Sequence, residues 1–397
     1  MYEEARHEQL IETDWDEGRA RAAIDRIVRD THAHFDRQKL WPIHPLDRMS
    51  DNLNMSFKML YFGAAGVIWA LDYLSRVGAA TIENDYLSSM TPFAQTNRRD
   101  LNLSPPDTFA YLMGDVGILM VRWRLASTDA LADEIFRAVE GNIRNPAREF
   151  MWGAPGTMLA ALFIFELTQD ERWKELYLRS VRQLFGEWAM NAAHGCTVWT
   201  QNLYGRSSKY LGAVHGFAAN AFSIIKGWHL LDASTRSLVE SRASETLERT
   251  ARVDDLYANW PPDLGGTKML VQHCHGAPGM ITCLADLPTA VDAPFDRLLE
   301  KGGELTWKAG PLTKGPNLCH GTAGNGYPFL KLYRRTGAIK WLERARAFAM
   351  HAIEQSERHA NRYGQLRYSL WTGDLGLAVY LWDCIQGQAK FPTMDVF

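Results

Sequence analysis

The chain has 397 residues, with 43 basic and 46 acidic side chains and a net charge of −3. Apolar residues make up 46% and charged residues 22%, a balance that excludes wholesale disorder and gives no electrostatic case for nucleic acid. No apolar run approaches the roughly 18–20 residues of a membrane span, so no transmembrane segment is expected.

The chain opens MYEEARHEQLIETDWDEGR, which lacks the apolar stretch of a signal peptide. Tyr2 is incompatible with N-myristoylation. Residues 1–50 read as a helical N-terminal extension of one domain spanning 1–397. A short pattern then recurs: glycine, two residues, a second small residue, and an apolar run. It reads GAAGVIWAL from Gly63, GDVGILMV from Gly114 and GAPGTMLAALF from Gly153. It continues as HGFAANAFSII around Gly216, HGAPGMITCL at Gly276, HGTAGNGYPFL at Gly321 and GDLGLAVYLW from Gly373. The spacings are 51, 39, 63, 60, 45 and 52 residues, long enough for two helices and their loops. The fourth copy is degenerate, with Ala219 in place of its second glycine.

The run Met158 to Phe165 is apolar on all sides and suits a fully buried helix. Tyr177, Val181, Leu184, Phe185 and Trp188 instead mark one face of an amphipathic helix. Strand signals are weak, with no series of Asn-Gly or Asp-Gly turns. The expected fold is all-α, an α/α toroid of seven helical hairpins. Inner helices alternate with outer ones, and the glycine pairs ring one rim, where loops from distant repeats converge.

Most glycine pairs need only close packing at a loop-to-helix junction. Some copies carry more. Glu149 lies four residues ahead of Gly153, and Asp115 and Asp374 sit inside other pairs, where a helix N-terminal carboxylate is the simplest role. His215 directly precedes Gly216 and is a candidate acid or base. Asp107 and Asp263 read as turn residues. Two copies begin Cys-His-Gly, at Cys274-His275 and Cys319-His320. Two thiolates and one imidazole bind Zn²⁺ and leave an open position, as catalytic zinc sites do. Spacing does not choose between His275 and His320. Cys283 and Cys384 read as core residues of inner helices. The total of five cysteines, with Cys196, is odd and sparse, which argues for a reducing, cytoplasmic setting.

YLGAVHG, QHCHGAPG, LCHGTAGNGYPFLKLY and the ending FPTMDVF resemble the LanC-like family, the lanthionine synthetase C-like proteins, and their eukaryotic-type branch most. The resemblance spans roughly residues 55–397. It implies a seven-hairpin α/α toroid, zinc held by Cys274, Cys319 and His320, and an acid/base His215. Glu149 stands where the bacterial cyclases carry Asp, and His275 where they often carry Tyr. Their Arg position is Leu270, with Lys268 the nearest replacement. Lys314, and Arg362 in the loop before the last repeat, match residues of the glutathione-binding branch. The implied reaction adds a thiol, from glutathione or a peptide cysteine, to dehydroalanine or dehydrobutyrine in a dehydrated peptide or protein. Glu149, His215 and His275 are the catalytic candidates, and Lys268, Lys314 and Arg362 the substrate-binding ones. Two rival readings are a non-catalytic zinc-containing signalling or ligand-binding protein, and a carbohydrate-active α/α barrel. The second needs a carboxylate pair, such as Glu149 and Asp374, and a cavity lined by some of the 14 Trp.

Overall fold

All seven repeat glycines, Gly63, Gly114, Gly153, Gly216, Gly276, Gly321 and Gly373, stand at helix N-caps in the computed structural model. It describes residues 1–48, 56–82, 84–289 and 293–397; the expected boundary at residue 50 lies outside them. In chain order the helices are α1 (Glu17–Ala33), α2 (Ala64–Arg76), α3 (Leu87–Met90), α4 (Phe93–Asp100), α5 (Asp115–Leu125), α6 (Asp129–Asn142), α7 (Ala154–Thr168) and α8 (Glu171–Glu187). There follow α9 (Phe217–Lys226), α10 (Ala233–Thr250), α11 (Ala277–Leu284), α12 (Pro294–Ala309), α13 (Thr322–Thr336), α14 (Ile339–Tyr363) and α15 (Asp374–Gln386).

The inner ring runs α2, α5, α7, α9, α11, α13, α15, each packed on the next, and α15 packs back on α2. Behind it stand α4, α6, α8, α10, α12 and α14. Helix α1 completes the outer ring against α14 and α15. Its buried residues Ala20, Ala23, Ile24, Ile27, Val28 and Thr31 form one helical stripe. The segment read as an N-terminal extension therefore supplies a wall element.

The patterns explain the layers. Helix α7 is buried from Ala154 to Phe165, and α15 from Asp374 to Ile385. Helix α8 buries Trp173, Leu176, Tyr177, Val181 and Leu184 on one face, with Phe185 half-buried. The second glycine of each pair lets a helix start press on its own loop. At Gly156 and Gly324 a methyl group would overlap the Phe150 and Leu318 carbonyl oxygens.

The residues two before each cap glycine are Tyr61, Leu112, Met151, Val214, Cys274, Cys319 and Trp371. Their backbones form a belt around the rim. Tyr61 N donates to Leu112 O at 3.0 Å, Leu112 N to Met151 O at 3.2 Å, and Phe150 N to Val214 O at 3.1 Å. Cys274 N donates to Cys319 O at 3.1 Å, Cys319 N to Trp371 O at 2.9 Å, and Trp371 N to Tyr61 O at 3.0 Å. At the seventh joint Gly212 meets the Cys274 carbonyl so closely that no side chain fits.

Three short hairpins interrupt the helices: β1 (Ala189–Asn191) with β2 (Cys196–Val198), β3 (Gln201–Leu203) with β4 (Arg206–Ser208), and β5 (Arg252–Val253) with β6 (Ala258–Asn259). The β3–β4 turn carries no Asn-Gly signature because Tyr204 and Gly205 take its two positive φ angles, 52° and 75°.

The axis of the ring is filled by the C-terminal tail. The Phe391 ring packs on His273, Tyr327 and Trp371. The Phe397 ring packs on Trp69, Tyr111 and Phe163. Asp395 pairs with the fully buried Lys331 at 2.8 Å, which also pairs with Asp286 at 2.7 Å. Trp69, Trp173, Trp199, Trp260, Trp341 and Trp371 are fully buried core residues. Among the described residues no helix is long and apolar enough to cross a membrane.

Gly156→Ala is expected to lower stability by about 1–3 kcal/mol, because the rim must open to admit the methyl. Gly186 faces open space in α8, so Gly186→Ala should gain about 0.5–1 kcal/mol. Urea denaturation of the two variants checks both signs.

Candidate metal centre

Two adjacent belt positions, in the fifth and sixth repeats, are cysteines. Their loops are tied by the Cys274–Cys319 backbone bond, so both sulfurs are held at one spot. His320 follows Cys319, and its N–H donates to Asn317 Oδ1 at 3.1 Å. The ligand atoms of Cys274, Cys319 and His320 all lie within 4.8 Å of one another. Zinc–sulfur bonds of ~2.3 Å at tetrahedral angles separate ligands by about 3.8 Å, so the donor set fits Zn²⁺. Both cysteines are buried, and His320 is half-buried. His275 is not in this group. The set therefore has three members, one fewer than a closed structural site.

The protein already supplies partners for the sulfurs. Gln272 Nε2 lies 2.9 Å from Cys274 Sγ. The Tyr61 hydroxyl sits against the Cys319 sulfur. Burial and the neighbouring sulfurs keep that phenol protonated. The two thiols titrate together. A hydrogen bond from Cys319, with help from His275 and His320, pulls the Cys274 thiol well below its usual value. The same bond and burial push Cys319 up. The pair thus shares one proton between the two sulfurs. By contrast Cys283 and Cys384 lie in the core of α11 and α15, where burial pushes their thiols up. All five cysteines are free.

His215 occupies the equivalent place in the fourth repeat. Its Nδ1 lies 2.7 Å from Glu149 Oε2. Glu149 is fully buried and accepts from the N–H groups of Met151 at 3.0 Å and Trp152 at 2.5 Å. Burial opposes a charge on His215, but the Glu149 carboxylate outweighs it, assisted by Cys274, and the pKa rises above 6.5. His275 goes the other way. Burial, helped by the charges of His215 and Lys268, lowers it against the pull of Cys274 and Asp263. Tyr204 and Tyr210 flank the His215 ring. Trp152 Nε1 donates to the Tyr204 hydroxyl at 3.0 Å, and both tyrosine rings lie 6.1 Å from the imidazole.

The remaining candidates are dispersed. Lys314 and Lys268 are exposed, with charges felt at Cys319 and His275 respectively. Arg362 was expected in a loop; it sits in the last turn of α14, over the Tyr363 ring at 5.3 Å. That helix runs on because no Gly or Pro intervenes before Gly364. Asp374 is buried and accepts from the Arg367 N–H at 2.8 Å. Asp115 is buried against Arg98. Both are helix-start carboxylates already engaged, as is Glu149. Sequence reasoning passed over Gln272, Asn317 and Tyr61. The first two stand four residues before a cap glycine, as Glu149 does, and that shared register was their signal.

The family model described as lanthionine synthetase C-like protein matches residues 55–396. A zebrafish (Danio rerio) protein named glutathione S-transferase LANCL1 is 30% identical over 265 residues, which is 65% of this chain and 64% of that protein. The Arabidopsis thaliana LanC-like protein GCL1 is 35% identical over 145 residues, 35% of this chain and 33% of that one. The alignments thus span less than two thirds of these curated relatives. Among solved structures, nisin cyclase has the same fold, with a TM-score of 0.63 at 15% identity over 92% of this chain and 94% of its own.

Purified protein is expected to carry about one zinc per chain, measured by elemental mass spectrometry. Cys274→Ala and Cys319→Ala should each remove it. Full zinc retention in either variant would refute the ligand set.

Proposed function

This chain belongs to the lanthionine synthetase C-like family, and we propose that it adds the thiol of glutathione to dehydroalanine or dehydrobutyrine residues of a dehydrated peptide or protein. Cys274, Cys319 and His320 would hold Zn²⁺. Bound zinc supplies the Lewis acidity that keeps a thiol deprotonated at neutral pH. The observation that carries the reading is the meeting of those three ligand atoms within 4.8 Å, one repeat from a buried Glu149–His215 pair.

The protein's own groups supply the proton chemistry. Glu149 accepts the Nδ1–H of His215 and is itself held by two backbone N–H groups, so neither side chain swings away. Nε2 is left as the working atom. Attack of sulfur on the β-carbon leaves an enolate, and charged His215 delivers a proton to the α-carbon. The thiol releases its proton to solvent and the imidazole, neutral after the transfer, takes one back from solvent, so the cycle closes with no net change. The Tyr204 ring stands edge-on to the imidazole and is fixed by Trp152. Lys314 and Arg362 are assigned to the carboxylates of glutathione, and Lys268 to the acceptor chain. The glutathione assignment is supported by the Lys314 charge felt at Cys319 and by the name of the zebrafish relative, a glutathione S-transferase. Five free cysteines and a thiol substrate both suit a reducing compartment such as the cytoplasm.

Incubation with glutathione and a dehydrobutyrine peptide should yield the adduct by mass spectrometry, and chelation should abolish it. His215→Ala should keep zinc and lose about 100-fold or more in rate. Charged His215 is the acid, so activity should fall as pH rises through its pKa. Glu149→Gln removes the group that raises that pKa, and should move this limb to lower pH. An unmoved limb would refute the acid role.

A further inference from the structure

The first eight residues lie across the two cysteine-bearing loops. Asn259 Nδ2 donates to Met1 O at 2.8 Å. Arg6 O accepts from Thr313 N at 3.0 Å and Thr313 Oγ1 at 3.1 Å. Glu8 N donates to Pro311 O at 2.9 Å. The Glu8 carboxylate is gripped by His351 at 2.6 Å, Gln355 at 2.7 Å and Arg358 at 2.5 Å. From this strap Arg6 Nη2 donates to Gln272 Oε1 at 3.0 Å. The other end of the same amide, Nε2, lies 2.9 Å from Cys274 Sγ.

A primary amide has one accepting and one donating end, and a guanidinium only donates. Arg6 therefore demands the oxygen of Gln272 and turns the nitrogen toward the sulfur. The reversed amide would set two donors against each other at Arg6 and an oxygen against a thiolate. The backbone holds Gln272 equally firmly. Gln272 N donates to His275 O and His275 N to Gln272 O, both at 3.1 Å, closing a tight turn around Cys274. Gln272 is buried, and the Arg6 side chain is only 27% exposed.

We propose that Arg6 is a positioning residue which, through Gln272, fixes an N–H donor on the Cys274 sulfur and so makes the N-terminal strap part of the metal centre. The inference rests on the reading of Cys274 as a zinc ligand. Two thiolate ligands cancel the charge of Zn²⁺, and a third sulfur makes the assembly anionic. An oriented N–H backed by a cation stabilises that charge where water is excluded.

The decisive variant is Gln272→Glu. A carboxylate strengthens the Arg6 contact but has no N–H to give the sulfur. If Gln272 only anchors the strap, zinc binding stays as in wild type. If it orients the donor, zinc affinity falls about 10–100-fold, as outer-shell changes at metal sites do. Competition with a chromophoric chelator measures it, and the thiolate-to-metal band of the cobalt-substituted protein should shift. Arg6→Met should give a smaller loss, because the amide is then free to turn, and Arg6→Lys should recover most of it. Wild-type affinity and an unshifted band in Gln272→Glu would overturn the proposal. Should that variant not fold, as judged by circular dichroism, equal zinc affinity of Arg6→Met and wild type would overturn it. A wild-type protein that binds no zinc would remove the proposed function and this inference together. Zinc binding that is indifferent to both residues would remove the inference alone.

Discussion

The backbone N–H of Cys274 donates to the Cys319 carbonyl at 3.1 Å, as one joint of the rim belt that closes on itself through Trp371 and Tyr61. Side-chain atoms that must meet at a metal tolerate little error, and flexible loops do not supply such precision. Here the loops are not free. Six of the seven are pressed into a neighbour by a glycine pair that removes the side chain which would hold them apart, and in the fourth Gly212 meets the Cys274 carbonyl instead. The two sulfurs inherit their placement from seven interlocked repeats. A weakening of the belt far from the cysteines therefore bears on the candidate metal site.

The same register position does different work around the ring. Four residues before the cap glycine, Glu149 binds the N–H groups of Met151 and Trp152, Asn317 binds that of His320, and Ser369 pairs with Thr372 at 2.8 Å. In each, a polar side chain satisfies loop groups that the helix cannot. In the fifth repeat the residue is Gln272, and its amide reaches a sulfur instead. In the third repeat the carboxylate has a second oxygen lone pair to spare, and it holds His215. Local capping and site chemistry are thus variations on one loop geometry.

Charge is arranged along the same arc. Glu149 raises the pKa of His215, while burial lowers that of His275. The pKa values of two histidines in equivalent places thus move in opposite directions, and His215 is the one held by the buried Glu149 carboxylate. The floor beneath is closed by the tail, whose Asp395 binds Lys331 inside the ring. The candidate site lies at the rim, where His215, His275 and His320 are only half-buried.

The sequence by itself determined the repeat, the inner and outer helices, and the cysteine and histidine pairs, because periodicity and glycine punctuation are local properties of the chain. It identified α7 and α8 from their apolar patterns. It did not place Glu17–Ala33 in the outer ring, since an amphipathic stripe names no partner. It did not foresee Tyr204 in a turn usually built on Asn-Gly, because tertiary contacts to Trp152 and His215 override a weak local preference. Spacing left His275 and His320 open and the family resemblance implied His320; the closed ring is what brings the His320 imidazole within 4.8 Å of both sulfurs and sets Arg6 against Gln272 across 266 positions of the chain. Both Cys-His-Gly loops read alike along the chain; their surroundings differ because each has different neighbours around the ring.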